Sequence, residues 1–233
     1  MVIKNFYKVI PKEYNTKYHN PQYGKQHFMQ IPFRALICGS SGSMKTNTLM
    51  NLIHAMKGTF NYVVLCVKSQ HEPLYQYLID KLKKNIEVHE NGEIPDLESL
   101  KNKGQILCIF DDLVNSDQKL IVEYYIRSRK IAGGCSCVYL SQSYYKVPKI
   151  IRSNANYLIL KKLSSKRDLN LIMSEHNMKD LNLKELSKIY NKSTKKKEDF
   201  LLMDLDENKL YFNFKDDITP KDESDNSTID LDD

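Results

Sequence analysis

An α/β fold with a mainly parallel central sheet, helices on both of its faces and a closing β-hairpin is what this sequence predicts. Three observations carry the prediction. From residue 33 onward, short apolar runs alternate with helical stretches, the pattern of strands joined by crossover helices. The first strand runs through a glycine- and serine-rich turn into a helix (FRALICGSSGSMKTNTLMNLI, residues 33–53). A later run, ILCIFDD (106–112), is apolar until it ends in two carboxylates.

Taken in order, residues 1–32 are punctuated by Tyr, Lys and Pro without a period, and read as an N-terminal arm lying on the domain or on a neighbouring subunit. The domain itself spans 33–215 and shows no internal repeat. Its first strand is Arg34–Cys38. Residues 39–46 then match the phosphate-binding template G-x-x-x-x-G-K-[ST] at every fixed position except the second glycine, where Met44 stands. Gly39, Ser40, Ser41, Gly42, Ser43 and Met44 would wrap backbone N–H groups round phosphate oxygens. The helix opened by Lys45, Thr46 and Asn47 adds its positive end. Lys45 would reach the β- and γ-phosphates, and the Thr46 hydroxyl would ligate Mg²⁺. A bare match of this kind arises by chance in about one chain in ten of this length; the strand before it and the helix behind it make it informative.

The helix from Lys45 extends to about Met56, and strand Tyr62–Val67 follows. Pro73 starts a helix to about Leu82 with apolar positions at 74, 78 and 82. Ile86–His89 is a short strand, and 91–104 a loop with one helical turn. The strand Gln105–Phe110 delivers the acids: Asp111 for the metal, Asp112 to polarise the attacking water. Taken alone, that pair would read as an ordinary polar turn capping the next helix; downstream of a phosphate loop the nucleotide reading wins. This helix, Gln118–Lys130, carries an apolar stripe at Leu120, Ile121, Tyr124 and Tyr125. Strand Ser136–Leu140 ends in Ser141 and Gln142, placing an amide where it can sense a γ-phosphate or orient water. A short helix (148–153), strand Tyr157–Leu160, helices Lys166–Glu175 and Asp180–Tyr190, a basic loop (192–197) and a hairpin (200–204 with 209–214) complete the domain.

Composition narrows the function. At 233 residues and 41% hydrophobic, the chain buries a sizeable core. No apolar run approaches the roughly 20 residues of a membrane helix, and the N-terminus carries no signal-peptide stretch. The five cysteines fall mostly within predicted strands and read as buried hydrophobes; Cys135 and Cys137 share one strand face rather than zinc spacing. Residues 216–233 hold eight acids and one lysine, an acidic tail expected to be disordered; of the net +6, the rest of the chain therefore carries +13. A polyanionic partner follows, discounted because lysine outnumbers arginine 30 to 5 and Asn and Ile are abundant, a compositional bias. The same bias makes the arginines at 34, 127, 129, 152 and 167 informative, since each needs its planar fork or is an ordinary surface pair.

In order, GSSGSMKT, IFDDL, IRSRK, YLSQSYY, IIRSNANYLIL and the closing FLLMDL and LYFNF resemble the FtsK–HerA superfamily of ring-forming P-loop ATPases. The likeness is to the genome-packaging ATPases of virophages, polinton-like elements and nucleocytoplasmic large DNA viruses, the poxvirus type. It runs from about residue 33 to 214. The resemblance implies a RecA-like P-loop domain using ATP and Mg²⁺, with Lys45, Thr46, Asp111, Asp112 and Gln142 in the roles just given. It further implies an arginine finger acting on a neighbouring subunit's ATP, drawn from Arg152, Arg129 and Arg127 in that order. The implied assembly is a homo-oligomeric ring, hexamer or pentamer, moving double-stranded DNA non-specifically into a capsid of viral proteins. It places the chain in the host cytoplasm (the viral factory) or the virion. Met44 departs from the family glycine; its side chain would crowd the β-phosphate and slow an active site. The rivals are a nucleotide kinase, disfavoured by so few arginines, a helicase or DNA-transfer motor, and a nucleotide-binding structural protein with impaired hydrolysis.

Overall fold

A computed structural model describes residues 3–11, 14, 16–131, 133–176, 178 and 181–220. Six strands run parallel: β1 (Arg34–Cys38), β2 (Tyr62–Val67), β3 (Ile86–His89), β4 (Ile106–Asp111), β5 (Cys135–Ser141) and β6 (Tyr157–Leu160). Strands β7 (Leu201–Asp204), β8 (Lys209–Phe212) and β9 (Asp216–Asp217) extend the sheet antiparallel, giving the order β3-β2-β4-β5-β1-β6-β7-β8-β9. Every residue of β1 and β5 is buried, which is why these strands read as continuous apolar runs: both faces of a parallel sheet are covered.

The period-2 alternation of the strands divides the core in two. Ala35 and Ile37 face one side with Leu49 and Leu52 of α1 (Lys45–Ala55) and Tyr75 of α2 (Pro73–Leu82). Leu36 and Cys38 face the other with α3 (Lys119–Arg127), α4 (Lys149–Asn154), α5 (Lys166–Glu175) and α6 (Leu183–Ser193). The mainly parallel, helix-covered α/β architecture expected from the sequence is therefore the observed one, closing hairpin included.

Three details differ from expectation. In α2 the buried residues are Tyr75 and Leu78, whereas Leu74 is only half-buried. In α3 Leu120 is exposed and the stripe is Ile121, Tyr124 and Tyr125. The sheet also continues into the acidic segment: β9 pairs with β8, and the Ile218 amide donates to the Leu210 carbonyl. The remainder of the predicted tail, 221–233, lies outside the described residues. At the other end, part of the arm packs on its own domain. Met29 is fully buried, Phe28 stacks on Tyr211 at 5.5 Å, and the Gln30 amide donates to the Tyr157 hydroxyl at 2.9 Å. Ile3, Phe6, Val9 and Tyr14 are exposed.

Candidate nucleotide site

The register of three neighbouring strands builds the site. In the sheet β5 lies between β1 and β4, with Cys38 opposite Ser141 and Leu140 opposite Asp111. The turn after β1, the residue after β5 and the last residue of β4 therefore emerge at one level. The Gly39 amide donating to the Ser141 carbonyl at 3.1 Å ties the first two together. A cavity of about 390 Å³ opens there, lined by Gly42, Met44, Lys45, Thr46, Asn47, Glu72, Leu74, Asp111, Asp112, Leu140 and Gln142. The acids, lysine and amide that sequence reasoning assigned to separate motifs thus meet in one place.

The turn has the backbone a phosphate cradle needs. Gly42 takes φ +71°, and a Cβ at Gly39 would stand 2.5 Å from the Lys161 Cβ and 2.6 Å from the Ser43 Oγ, so both glycines are required. Met44, at the position where the template has glycine, adopts φ 65° and ψ 38°. It keeps the left-handed conformation and carries the strain of a side chain there, about 1–2 kcal/mol. The Met44 side chain is about one-third exposed, and its carbonyl starts α1 by accepting from the Thr48 amide.

Lys45 bends back over the turn, its Nζ donating to the Gly39 carbonyl at 2.9 Å and the Ser40 carbonyl at 3.1 Å. Burial lowers its pKa, against the pull of the Asp111 charge. Asp111 is raised above the usual carboxylate range, first by burial; the Tyr75 hydroxyl, donating to Oδ2 at 2.6 Å, and Lys45 oppose that shift. Asp112 sits in a left-handed turn, φ 56°, and pairs with Lys68 at 3.6 Å, with half of each side chain exposed. Gln142 is exposed on the cavity wall. The Thr46 hydroxyl and the Asp111 carboxylate are hard oxygen donors lining one cavity beside an ammonium and backbone amides. That set fits a Mg²⁺-bound polyphosphate, in which phosphate and water supply the other ligands.

The arginines separate. Arg152 does not project toward a neighbour. Its guanidinium is buried, Nε and Nη2 grip the two oxygens of Glu175 at 2.8 and 2.5 Å, and Nη1 donates to the carbonyls of Tyr145 and Val147. Arg127 pairs with Glu123 and Glu98 on the surface. Arg129 is exposed and, among the described residues, makes no hydrogen bond or ion pair. Sequence reasoning missed three residues here. Tyr75 and Glu72 reach the site from the start of α2, a segment that carries no phosphate-site signature. Lys161 is 1% exposed and its Nζ donates to the carbonyls of residues 197, 198 and 199 at 2.6, 3.0 and 3.0 Å. Burial brings its pKa down to about 8. Lys161 pins the basic turn 195–197 beside the phosphate loop, where the Lys162 carbonyl accepts from the Ser40 amide at 2.8 Å.

Comparison with solved structures finds proteins of like fold. The genome packaging NTPase B204 of Sulfolobus turreted icosahedral virus 2, in complex with ATP-gammaS, superposes with a TM-score of 0.57 over 80% of this chain and 99% of that one, at 16% identity. B204 of Sulfolobus turreted icosahedral virus, described as a DNA-packaging ATPase, gives 0.56 over 80% and 99%, at 18% identity. The cytoplasmic domain of the Thermomonospora curvata type VII secretion ATPase EccC gives 0.50 over 82% of this chain and 26% of that one, at 13% identity. No curated protein sequence matches the chain. Residues 20–229 match the family model described as the poxvirus A32 protein, and the chain belongs to that family.

Proposed function

We propose that this chain hydrolyses ATP in the cavity at the tips of β1, β4 and β5 and, as one subunit of a ring, spends the cycle driving double-stranded DNA into a viral capsid. The observation that carries the reading is the strand register that brings Lys45, Thr46, Asp111, Asp112 and Gln142 to one cavity. Family membership and the packaging NTPases of like fold support it.

The roles follow from position. The loop amides and Lys45 hold the β- and γ-phosphates, Lys45 exchanging the Gly39 and Ser40 carbonyls for phosphate oxygens of opposite charge. Thr46 and Asp111 hold Mg²⁺, which would neutralise the charge of the transferring group. Gln142 orients a water on the γ-phosphorus. As the water oxygen bonds to phosphorus, the bond to the departing ADP oxygen breaks and Asp112 takes the water proton. Asp112 has a shorter arm than a glutamate would have there, so its reach is set by the left-handed turn it occupies.

The finger passes to Arg129. Arg152 has its fork committed inside its own subunit, and Arg129 is unpaired among the described residues. Arg129 also lies near Arg34, the first residue of β1, and so at the N-terminal ends of the strands, opposite its own phosphate loop. From there it serves only another subunit's nucleotide. For DNA, the exposed lysines at 146, 149, 162, 166 and 195–197 offer a sequence-independent grip on phosphates, whereas Lys161, in the same stretch, is buried and offers none. Phosphate release by purified protein with and without duplex DNA tests the reading. Turnover stimulated by unrelated duplexes, with affinity falling log-linearly in salt, is expected, and deletion of 221–233 should tighten binding if that acidic segment competes. Turnover indifferent to DNA, or selectivity for one sequence, overturns the motor.

A further inference from the structure

Tyr75 has a place in the site that its sequence context does not announce. It is a large polar side chain only 2% exposed, on the face of α2 that packs against the sheet. Its hydroxyl donates to Asp111 Oδ2 at 2.6 Å. One buried hydroxyl thus ties the carboxylate assigned to the metal. The other carboxylate oxygen, Asp111 Oδ1, makes no hydrogen bond among the described residues, and Asp111 lines the nucleotide cavity. The chain's direction explains the placement. β2 and β4 are paired with Val67 opposite Asp111, and Pro73 at the first helical position turns the chain back so that Tyr75 comes over that strand end.

We propose that Tyr75 is the positioning residue for the metal carboxylate. It holds Oδ2, fixes the Asp111 rotamer, and leaves Oδ1 directed to the ion. A carboxylate on a single side-chain bond rotates freely unless its second oxygen is tied, and outer partners of this kind contribute about 10- to 100-fold to metal affinity. The proposal rests on the assignment of Thr46 and Asp111 to Mg²⁺.

The test uses the full chain with Tyr75→Phe and Asp111→Asn, titrating Mn²⁺ by electron paramagnetic resonance in the presence of a non-hydrolysable ATP analogue. The affinity of that analogue in EDTA is measured in parallel. Tyr75→Phe should weaken Mn²⁺ about tenfold and leave the EDTA affinity unchanged, a split that a general packing defect would not produce. In hydrolysis the same variant should need more Mg²⁺ for half-maximal rate while approaching the parent kcat at saturation. Unchanged Mn²⁺ affinity in Tyr75→Phe, with binding lost in Asp111→Asn, overturns the proposal and leaves the metal site standing. Unchanged binding in Asp111→Asn overturns the metal assignment itself. Should Tyr75→Phe not fold, 3-fluorotyrosine at position 75 keeps the shape with a more acidic phenol. A change in Mn²⁺ affinity with unchanged EDTA affinity then supports the role, and no change in either refutes it.

Discussion

Arg129 and Arg152 flank β5 in the chain, one before it and one after, and the fold treats them oppositely. Arg152 is buried in α4 with every arm of its fork occupied: two bonds to Glu175, two to carbonyls, and the plane 5.2 Å from the Tyr144 ring. Arg129 stands exposed with no hydrogen bond or ion pair among the described residues. Glu175 also accepts from the Tyr144 hydroxyl at 2.8 Å, and Asp168 accepts from Ser143 Oγ and the Tyr145 amide at 3.0 Å each. The segment just after Gln142 is thereby fastened to α5. The difference teaches that an arginine kept in a lysine-rich chain answers a need for planar, two-point bonding, but the need is internal in one case and unmet within the subunit in the other. In the ring proposed above, Arg152 would serve as a rigid mount behind Gln142 and Arg129 as a free cation for the neighbour.

The largest effect expected from this contrast is kinetic. Arg129→Ala should lower ATP turnover by about 10³-fold or more with its thermal midpoint unchanged, since a finger acting in trans contributes about 10³–10⁵. Lys45→Ala should abolish turnover with circular dichroism intact. Mixing the two variants should restore part of the activity, because some interfaces then pair an intact loop with an intact finger. Full activity of Arg129→Ala alone would move the finger to Arg127, whose two surface carboxylate bonds are weak enough to exchange.

Next in size is stability. Arg152→Ala leaves the Glu175 carboxylate, about four-fifths buried, without its partner and frees two carbonyls. A loss of about 3 kcal/mol, read as a fall of several degrees in the thermal midpoint, is expected. Arg152→Lys should recover only part, since one ammonium cannot match the fork. The pH dependence has a definite sign. Arg152 holds Glu175 below its ordinary pKa, so the pair stabilises fully above about pH 4.3, the unfolded value. That contribution fades as pH falls through the lower folded value, and the gap between parent and Arg152→Ala should narrow there. A constant gap would mean the loss is packing and not charge.

The contrast also marks what was legible in the sequence. Strand and helix periodicity found the parallel sheet, because buried strands such as RALIC and ILCIFD are apolar throughout and the helices between them are amphipathic. The loop, the acid pair and the strand-tip glutamine were legible because each is a local pattern at a strand end. What escaped was decided by contacts between distant residues. Nothing near Arg152 says that Glu175, 23 positions on, will take its fork; nothing near Lys161 says that three carbonyls 36 to 38 positions on will bury it. The predicted stripe at 74, 78 and 82 holds at Leu78 and Leu82, but Tyr75 takes the core position expected of Leu74, which borders the nucleotide cavity instead. The two-residue β9 is too short and too acidic to carry any strand signal.

The smallest expected effect concerns Met44, and it separates two explanations of a departure from the template. If the methionine only tolerates the left-handed backbone, Met44→Gly removes about 1–2 kcal/mol of strain and returns part of it, about 0.4–1 kcal/mol, through the freer unfolded chain. Stability should then rise by no more than about 1.6 kcal/mol, and ATP affinity should hold or improve, because the loop already has its shape and loses only a side chain at the cavity rim. Met44→Ala keeps the Cβ and therefore the strain, so it should resemble the parent in stability. Met44→Val should be the least stable of the series, since a branched Cβ is poorly accommodated at positive φ. Urea unfolding and nucleotide titration of the three variants check the order. A loss of ATP binding in Met44→Gly, with Met44→Ala also impaired, would instead make the thioether a working part of the nucleotide contact, and the loop an adapted version of the template with its own chemistry at position 44.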